Sequence, residues 1–190
     1  MNTLIINKCL VLCHSFYHKK YNFIRNHKKN IYLDRNIESR PDICMNILDN
    51  SQLHRYKNLK NSISEMTSVY APINIFFTKD ITYPDFKDLC ADKINTKFVK
   101  ENVRFNAKFL NFVLYFLRPG GCLTFTDNFV FFKNRISKYT AKRLIRFFLG
   151  SKKKYFKVSV TSHSQIIDIE KKYHPDRCKY IVSLIKKLQK

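Results

Sequence analysis

Short apolar runs separated by polar segments recur along the first half of the chain. The four runs of strand length are Thr3–Ile6, Ile31–Leu33, Ile43–Leu48 and Ile73–Phe77. Between most of them about 20–30 residues remain, enough for a helix, and this alternation is typical of β–α–β units. The pattern predicts an α/β protein with a mostly parallel sheet and helices on both faces, in one domain spanning residues 1–190.

The longest helical pattern lies between Val99 and Leu117. Apolar residues there recur every three to four positions and form a wide face, as in a helix packed on a sheet. A Pro-Gly-Gly sequence follows at 119–121, where proline disfavours further helix and glycine permits a sharp reversal. We therefore expect this turn to lead from the helix into a strand at Cys122–Phe125.

Three further elements complete the predicted fold. Ser137–Leu149 has a helical pattern and is followed by Gly150, a residue type that commonly caps helices. Phe156–Thr161 alternates between apolar and polar residues, as strands do. Tyr180–Ile185 is either the last strand or a terminal helix.

The ends of the predicted strands carry the candidate binding residues, because parallel sheets bind ligands beyond the carboxyl ends of their strands. Asp34 ends the second strand, at the distance from the first strand expected for an acid that binds ribose hydroxyls. Asn7 lies in the loop after the first strand, and Thr78 and Lys79 follow the fourth. Each also has an interpretation as a turn or solvated surface residue, and the sequence leaves both open.

Three segments resemble the class I S-adenosylmethionine-dependent methyltransferases. Ile31–Asp34 is similar to the family's second strand with its terminal acid, and Pro41–Asp49 is similar to its third strand. The sequence FVLYFLRPGGCLTF at 112–125 is similar to the family's helix, Pro-Gly-Gly turn and fifth strand, and it is the most specific match. The resemblance implies a Rossmann-like class I methyltransferase fold and methyl transfer from S-adenosylmethionine.

The resemblance also implies roles for individual residues. Asp34 would bind the cofactor ribose, and Asn7 would face the methionine part of the cofactor. Asn46 and Ile47 would lie beside the adenine, although a strand end and a core residue explain them equally well. The two residues after the predicted fourth strand would face the methyl acceptor, whose identity the sequence does not indicate.

The chain departs from the family at the loop after the first strand. That loop is glycine-rich in the family, so that the backbone approaches the methionine part of the cofactor. Here Ile5–Cys9 contains no glycine, and the whole chain contains only three. A Cβ atom costs about 1–2 kcal/mol where left-handed backbone is needed, and its bulk fills space in the pocket. The resemblance therefore implies a methyltransferase-like protein whose cofactor pocket is degenerate.

The net charge of +22 suggests a second class of function. Such a field attracts polyanions, but an AT-rich genome, such as that of a large DNA virus, also produces a lysine-rich and glycine-poor chain. The best local candidates for nucleic-acid contact are Arg143, Arg146, Lys152, Lys153 and Lys154. The alternative function is thus a non-enzymatic basic protein of the same fold that binds nucleic acid or serves as a partner subunit.

Two further patterns concern metals and location. Cys9, Cys13, His14 and His18 have a zinc-like composition, but neighbouring residues on a helix point about 100° apart, so we expect no metal site. No apolar run reaches the roughly 18 residues that span a bilayer, and no signal-peptide pattern is present. We therefore expect an intracellular, cytoplasmic protein without membrane contact, in the host cytoplasm if it is viral. The sequence leaves its oligomeric state open.

Overall fold

A computed structural model describes residues 8–12, 30–68, 77, 104–125, 137–162 and 180–188. Within these ranges the strands are β1 Lys8–Leu12, β2 Asn30–Asp34, β3 Ile43–Cys44, β4 Ile63–Ser68, β5 Leu117–Phe125, β6 Phe156–Ser162 and β7 Tyr180–Lys186. The α-helices are α1 Ala107–Phe116 and α2 Lys138–Phe148, and 3-10 helices cover Ile37–Ser39, Asn50–Leu59 and Gly150–Tyr155. None of the helices described is long and apolar enough to cross a membrane.

All seven strands form one sheet with the order β3-β2-β1-β4-β5-β7-β6. β7 pairs antiparallel with β5 and β6, and the other pairs are parallel. The chain builds outward from β1 to β3 and then returns to the other side of β1 with β4, which creates a switch point between β1 and β4. This is the strand order of the class I methyltransferase fold, and it confirms the predicted mostly parallel α/β sheet.

The first and fourth strands of the sheet lie at other positions than predicted. β1 is Lys8–Leu12, and the side chains of Leu10, Val11 and Leu12 are fully buried, whereas the predicted first strand, Thr3–Ile6, lies outside the described residues. β4 is Ile63–Ser68, whereas the predicted fourth strand, Ile73–Phe77, is described only at Phe77. β4 is central, yet it contains serine, glutamate and threonine and so lacks the continuous apolar run expected of a buried parallel strand.

The other strands agree better with the sequence. β2 ends at Asp34 and β6 begins at Phe156, both as predicted. β3 covers only Ile43–Cys44, and a turn replaces the rest of the predicted strand. The last element is a strand rather than a terminal helix.

Both α-helices pack against one face of the sheet. The buried side chains of α1 and α2, among them Phe109, Phe112 and Ile145, belong to one apolar cluster with Leu10 and Leu123 of the sheet. Ser137 caps the amino end of α2 by accepting a hydrogen bond from the Thr140 backbone N–H (3.1 Å), which confirms this helix. Val11 and Tyr32 are also buried but lie outside that cluster, on the opposite face. The segments predicted to place helices there lie outside the described residues.

Helix α1 is shorter than its sequence pattern predicts. It begins at Ala107, where the Asn106 side chain accepts a hydrogen bond from the Lys108 N–H (2.9 Å), and it ends at Phe116. Its predicted first residues, up to 103, lie outside the described ranges. β5 then starts directly at Leu117, so the helix ends before the Pro-Gly-Gly sequence.

The Pro-Gly-Gly sequence forms an irregularity inside β5 instead of a turn before it. Ile63 of β4 pairs with Leu117, whereas Glu65 pairs with Cys122, so the β5 backbone loops out between these pairs. Gly120 has φ of +79°, which favours glycine. A Cβ atom on Gly121 would lie 2.9 Å from the Ile63 carbonyl oxygen. The two glycines therefore let β5 approach β4 closely after the interruption.

Lys186 stabilises the same, amino ends of β4 and β5. Its Nζ atom donates hydrogen bonds to Asn61 Oδ1 (2.8 Å) and to the carbonyl oxygens of Leu114 and Leu117 (both 2.7 Å). Burial lowers the pKa of this amine, and the nearby charge of Lys60 lowers it further. The side chain ties β7 to the end of α1 and to the turn before β4, at the amino ends of the parallel strands.

Candidate cofactor site

The candidate site lies at the carboxyl ends of β1, β2 and β4. Leu12 pairs with Leu33 on one side and with Ser68 on the other, so these strand ends form one row across the switch point. In sheets of this kind the ligand crevice lies beyond such a row. The residues that follow Leu12 and Ser68 are outside the described ranges, whereas the β2 and β3 side of the site is described.

Asp34 is the central charged residue of the described side. It is half-buried at the end of β2, and its backbone carbonyl accepts a hydrogen bond from the Met45 N–H (3.0 Å). Its Oδ1 atom accepts another from the Asn36 N–H (2.8 Å). The carboxylate is thus held by the backbone that follows it, and it retains acceptor capacity, since an ionised carboxylate accepts about four hydrogen bonds.

Asn46 and Ile47 have different environments after β3. The Asn46 side chain is exposed, and its Oδ1 accepts a hydrogen bond from the Leu48 N–H (3.0 Å). Ile47 is only 5% exposed and belongs to the apolar cluster. Of these two residues, Asn46 offers polar side-chain groups at this edge, whereas Ile47 packs into the apolar cluster.

Two other carboxylates order the backbone around the site. Asp42 Oδ2 accepts a hydrogen bond from the Tyr32 N–H (2.8 Å), which links the segment before β3 to β2. Asp49 accepts hydrogen bonds from the side chains of Ser51 and Gln52, and these bonds lower the pKa of its carboxyl. The acids of this region therefore organise the loops as well as providing charge.

The remaining residues predicted for this site lie outside the described residues, so their roles stay predictions. Asn7 directly precedes β1 in the sequence. Thr78 and Lys79 follow Ser68, the last residue of β4, by ten and eleven positions. The described strands that border the crevice on this side are β1 and β4, which end at Leu12 and Ser68. The buried run Leu-Val-Leu at 10–12 was the sequence signal for the first of them.

Cys9 lies inside β1 rather than in a loop or helix. Burial raises the pKa of its thiol to about 12, with further contributions from Glu65 and Cys122 on the neighbouring strands. The thiol is therefore protonated at neutral pH, which disfavours nucleophilic attack. The other three members of the zinc-like sequence lie outside the described residues. Cys44, by contrast, is exposed at the end of β3 and is the register partner of Asp34.

The basic candidates lie away from this site. Arg143 and Arg146 are exposed on α2, Lys153 and Lys154 are exposed on the 3-10 helix that follows, and Lys152 is half-buried. This 3-10 helix leads into the start of β6, which lies at the amino ends of the parallel strands. The structure thus joins the five residues in one surface segment and separates its lysine-rich end from Asp34.

Comparisons with known proteins concern the fold. No protein-family model matches the sequence, and no curated protein matches it. The chain is similar to the 30S ribosomal A1408 methyltransferase from an uncultured bacterium, with a TM-score of 0.44 and 11% identity over 95% of this chain and 88% of that one. It is also similar to an antibiotic-related methyltransferase, with a TM-score of 0.41 and 11% identity over 97% of this chain and 91% of that one. A protein from Corynebacterium glutamicum is similar with a TM-score of 0.45 and 10% identity, over 96% of this chain and 73% of that one.

The protein has the class I methyltransferase fold. Its strand order and its antiparallel β7 define this fold in the described residues. At these identities the comparisons concern the fold alone, so any activity has to be argued from the residues of the site.

Proposed function

We propose that the protein binds S-adenosylmethionine at the carboxyl edge of β1, β2 and β3 as a methyltransferase-like protein. The observation that carries the proposal is the position of Asp34. Its carboxylate ends the strand next to the switch point and is held beside the Asn46 turn by the Met45–Asp34 backbone hydrogen bond. An acid in this position is suited to accept hydrogen bonds from the two ribose hydroxyls.

The described residues fit the nucleoside half of the cofactor. Asp34 supplies a carboxylate for the ribose, and Asn46 supplies an exposed amide for the edge of the adenine. An amide both donates and accepts, so Asn46 can bond the adenine ring without the carboxylate that is usual in the family. Ile47 packs beneath this turn and keeps Asn46 in place.

The methionine half of the cofactor has no comparable support. The three glycines of the chain lie at 120, 121 and 150, and none lies near the carboxyl end of β1. Residues 13–29, which follow β1 in the sequence, contain no glycine, so any of them that contacts the ligand carries a Cβ atom. We infer that binding free energy comes mainly from the adenosine part.

Bound S-adenosylmethionine supplies an electrophilic methyl group on a sulfonium centre. Methyl transfer depends mainly on holding donor and acceptor in line, so the task of this chain is orientation rather than acid–base chemistry. Asp34 and Asn46 would orient the nucleoside. The acceptor side of the crevice lies beyond Ser68, outside the described residues.

Isothermal titration calorimetry with S-adenosylmethionine and with 5′-methylthioadenosine tests this proposal. We expect both ligands to bind, with dissociation constants within about threefold, because the shared adenosine carries most of the interaction. Asp34→Asn should weaken both about tenfold or more, since it removes charge-assisted hydrogen bonds. Glu38→Gln is the matched control, because it removes one exposed negative charge from the same edge.

Three outcomes of the titration are decisive. Absence of heat at millimolar ligand would contradict cofactor binding while leaving the fold unaffected. Equal losses in Asp34→Asn and Glu38→Gln would reduce the role of Asp34 to general charge. A strong preference for S-adenosylmethionine over methylthioadenosine would show that the methionine half is held without glycine, and would overturn the adenosine-based mode.

A further inference from the structure

The most strongly charged surface of the described chain lies on α2 and the 3-10 helix after it. Residues 137–157 contain eight lysines and arginines and no aspartate or glutamate. Seven of the eight are exposed and Lys152 is half-buried. We call this set the basic face: Lys138, Lys142, Arg143, Arg146, Lys152, Lys153, Lys154 and Lys157.

The packing of α2 concentrates these charges on one side. Ala141, Leu144, Ile145 and Phe148 are the buried residues of the helix and face the apolar cluster. The helix's charged residues are therefore confined to its outer side, which extends for about 16 Å at 1.5 Å per residue. The three lysines of the 3-10 helix continue the row beyond the end of α2.

Aromatic rings lie among these cations. Tyr139 is 69% exposed, and the Arg143 guanidinium lies 5.7 Å from its ring centroid. The amines of Lys154 and Lys152 lie 5.0 and 5.7 Å from the ring centroid of Tyr155. An exposed ring beside fixed cations provides a stacking surface for an unpaired base next to contacts for its phosphates.

We infer that the basic face binds single-stranded nucleic acid. Its cations contact consecutive phosphates, and Tyr139 stacks on one base. Charge complementarity indicates that the partner is a polyanion. The exposed ring favours a single strand over a duplex, because the bases of a single strand are free to stack on it. This binding goes beyond the proposed cofactor function and does not depend on it.

Fluorescence anisotropy with a labelled single-stranded oligonucleotide of about 16 nucleotides, over a salt series, tests the inference. The test variant is Arg143→Gln/Arg146→Gln. The matched control is Arg55→Gln/Lys57→Gln, which removes the same charge from two exposed positions of another helical segment. Thermal unfolding of each variant establishes that the fold is intact.

The test variant should lose about 25-fold in affinity at 0.1 M salt, and the slope of log K against log salt should fall by about 1.4. Each phosphate contact on a single strand contributes about 0.7 to this slope, and two contacts are removed. The control should keep the wild-type slope. Equal slopes in the two variants would overturn the inference, because the charge would then act as a general field.

Tyr139 provides a second, independent readout. Tyr139→Ala should weaken binding about fivefold or more with an unchanged salt slope, since stacking contributes about 1–3 kcal/mol per base. Tyr139→Phe retains the ring and should bind like the wild type. Equal affinities of the Ala and Phe variants would contradict the stacking role.

Competition separates the single strand from other polyanions. A duplex of the same length and vesicles containing phosphatidylserine should each compete more weakly than unlabelled single strand. Stronger competition by the vesicles would assign the face to a lipid surface instead and overturn the inference. Asp34→Asn should bind the oligonucleotide like the wild type, so failure of the cofactor proposal would leave this result unaffected.

Discussion

The cofactor edge at residues 30–60 and the basic face at residues 137–157 use charge in opposite ways. The cofactor edge contains five lysines and arginines and four aspartates and glutamates, whereas the basic face contains eight cations and no acid. Three of the four acids at the edge accept hydrogen bonds from nearby backbone N–H groups: Asp34, Asp42 and Asp49. Charge at the edge therefore organises loops, and charge on the face is turned to solvent.

This difference bears on the origin of the net charge. A genome-wide preference for lysine codons acts on the whole chain, so it does not by itself make one segment nearly neutral and another uniformly positive. The helical packing explains why the cations of α2 are exposed but not why acids are absent among them. The polyanion partner that we propose for the basic face would account for that absence, because an acid in the row would repel a phosphate.

The largest expected effect is the loss of oligonucleotide binding on neutralising the lysine-rich end of the basic face. Lys152→Gln/Lys153→Gln/Lys154→Gln should bind about 100-fold more weakly at 0.1 M salt, because three phosphate contacts are removed. The matched variant Arg55→Gln/Lys57→Gln/Lys60→Gln should change affinity much less, as measured by anisotropy. Similar losses of oligonucleotide affinity in both variants would show that the two regions do not differ in nucleic-acid binding.

A second prediction concerns a cation that is enclosed by the protein. Lys186→Met should lower the free energy of unfolding by about 2 kcal/mol, since it leaves the carbonyl oxygens of Leu114 and Leu117 without their donor. Chemical denaturation measures this change, and oligonucleotide affinity should stay constant. A variant as stable as the wild type would show that desolvation of the amine offsets its hydrogen bonds.

The sequence predicted those elements whose local pattern agrees with their burial. α2 has an apolar stripe, a Ser137 cap and Gly150 after it, so its bounds were predicted almost to the residue. β2 was found in the same way, and with it Asp34. The fold itself followed from the order of such elements and from the segment at 112–125.

The errors arose where tertiary pairing overrides local pattern. Two adjacent apolar runs competed for β1, and only pairing with β2 and β4 selects residues 8–12. β4 is held between β1 and β5 despite Glu65 and Thr67, so its sequence resembles a polar segment. Crevice residues are defined by where these strands end. Asn7, Thr78 and Lys79 lie outside the described residues, so their site roles stay predictions.

A third prediction uses Cys44 as a reporter of the cofactor edge. Cys44 is exposed at the end of β3, in register with Asp34, so a nucleoside bound there should shield its thiol. If S-adenosylmethionine occupies about 80% or more of its site, it should slow alkylation of Cys44 about fivefold or more. The oligonucleotide should not slow this alkylation. Peptide mass spectrometry distinguishes Cys44 from the other cysteines. If the oligonucleotide, added without S-adenosylmethionine, also protected Cys44, both ligands would bind at one edge. This would contradict the separation of the two regions.

The smallest expected effect is a difference in pH dependence between the wild type and Lys186→Met. Burial places the folded-state pKa of Lys186 below the unfolded value of 10.5, so between these two values the unfolded chain binds more protons than the folded one. The unfolding free energy contributed by this residue therefore rises as pH increases through that window, and it is constant below the folded pKa, where both states carry the proton. Lys186→Met should lack this rise, so its deficit relative to the wild type should grow towards pH 10.5. A deficit that is constant with pH would show that the amine has equal pKa values in the folded and unfolded chains.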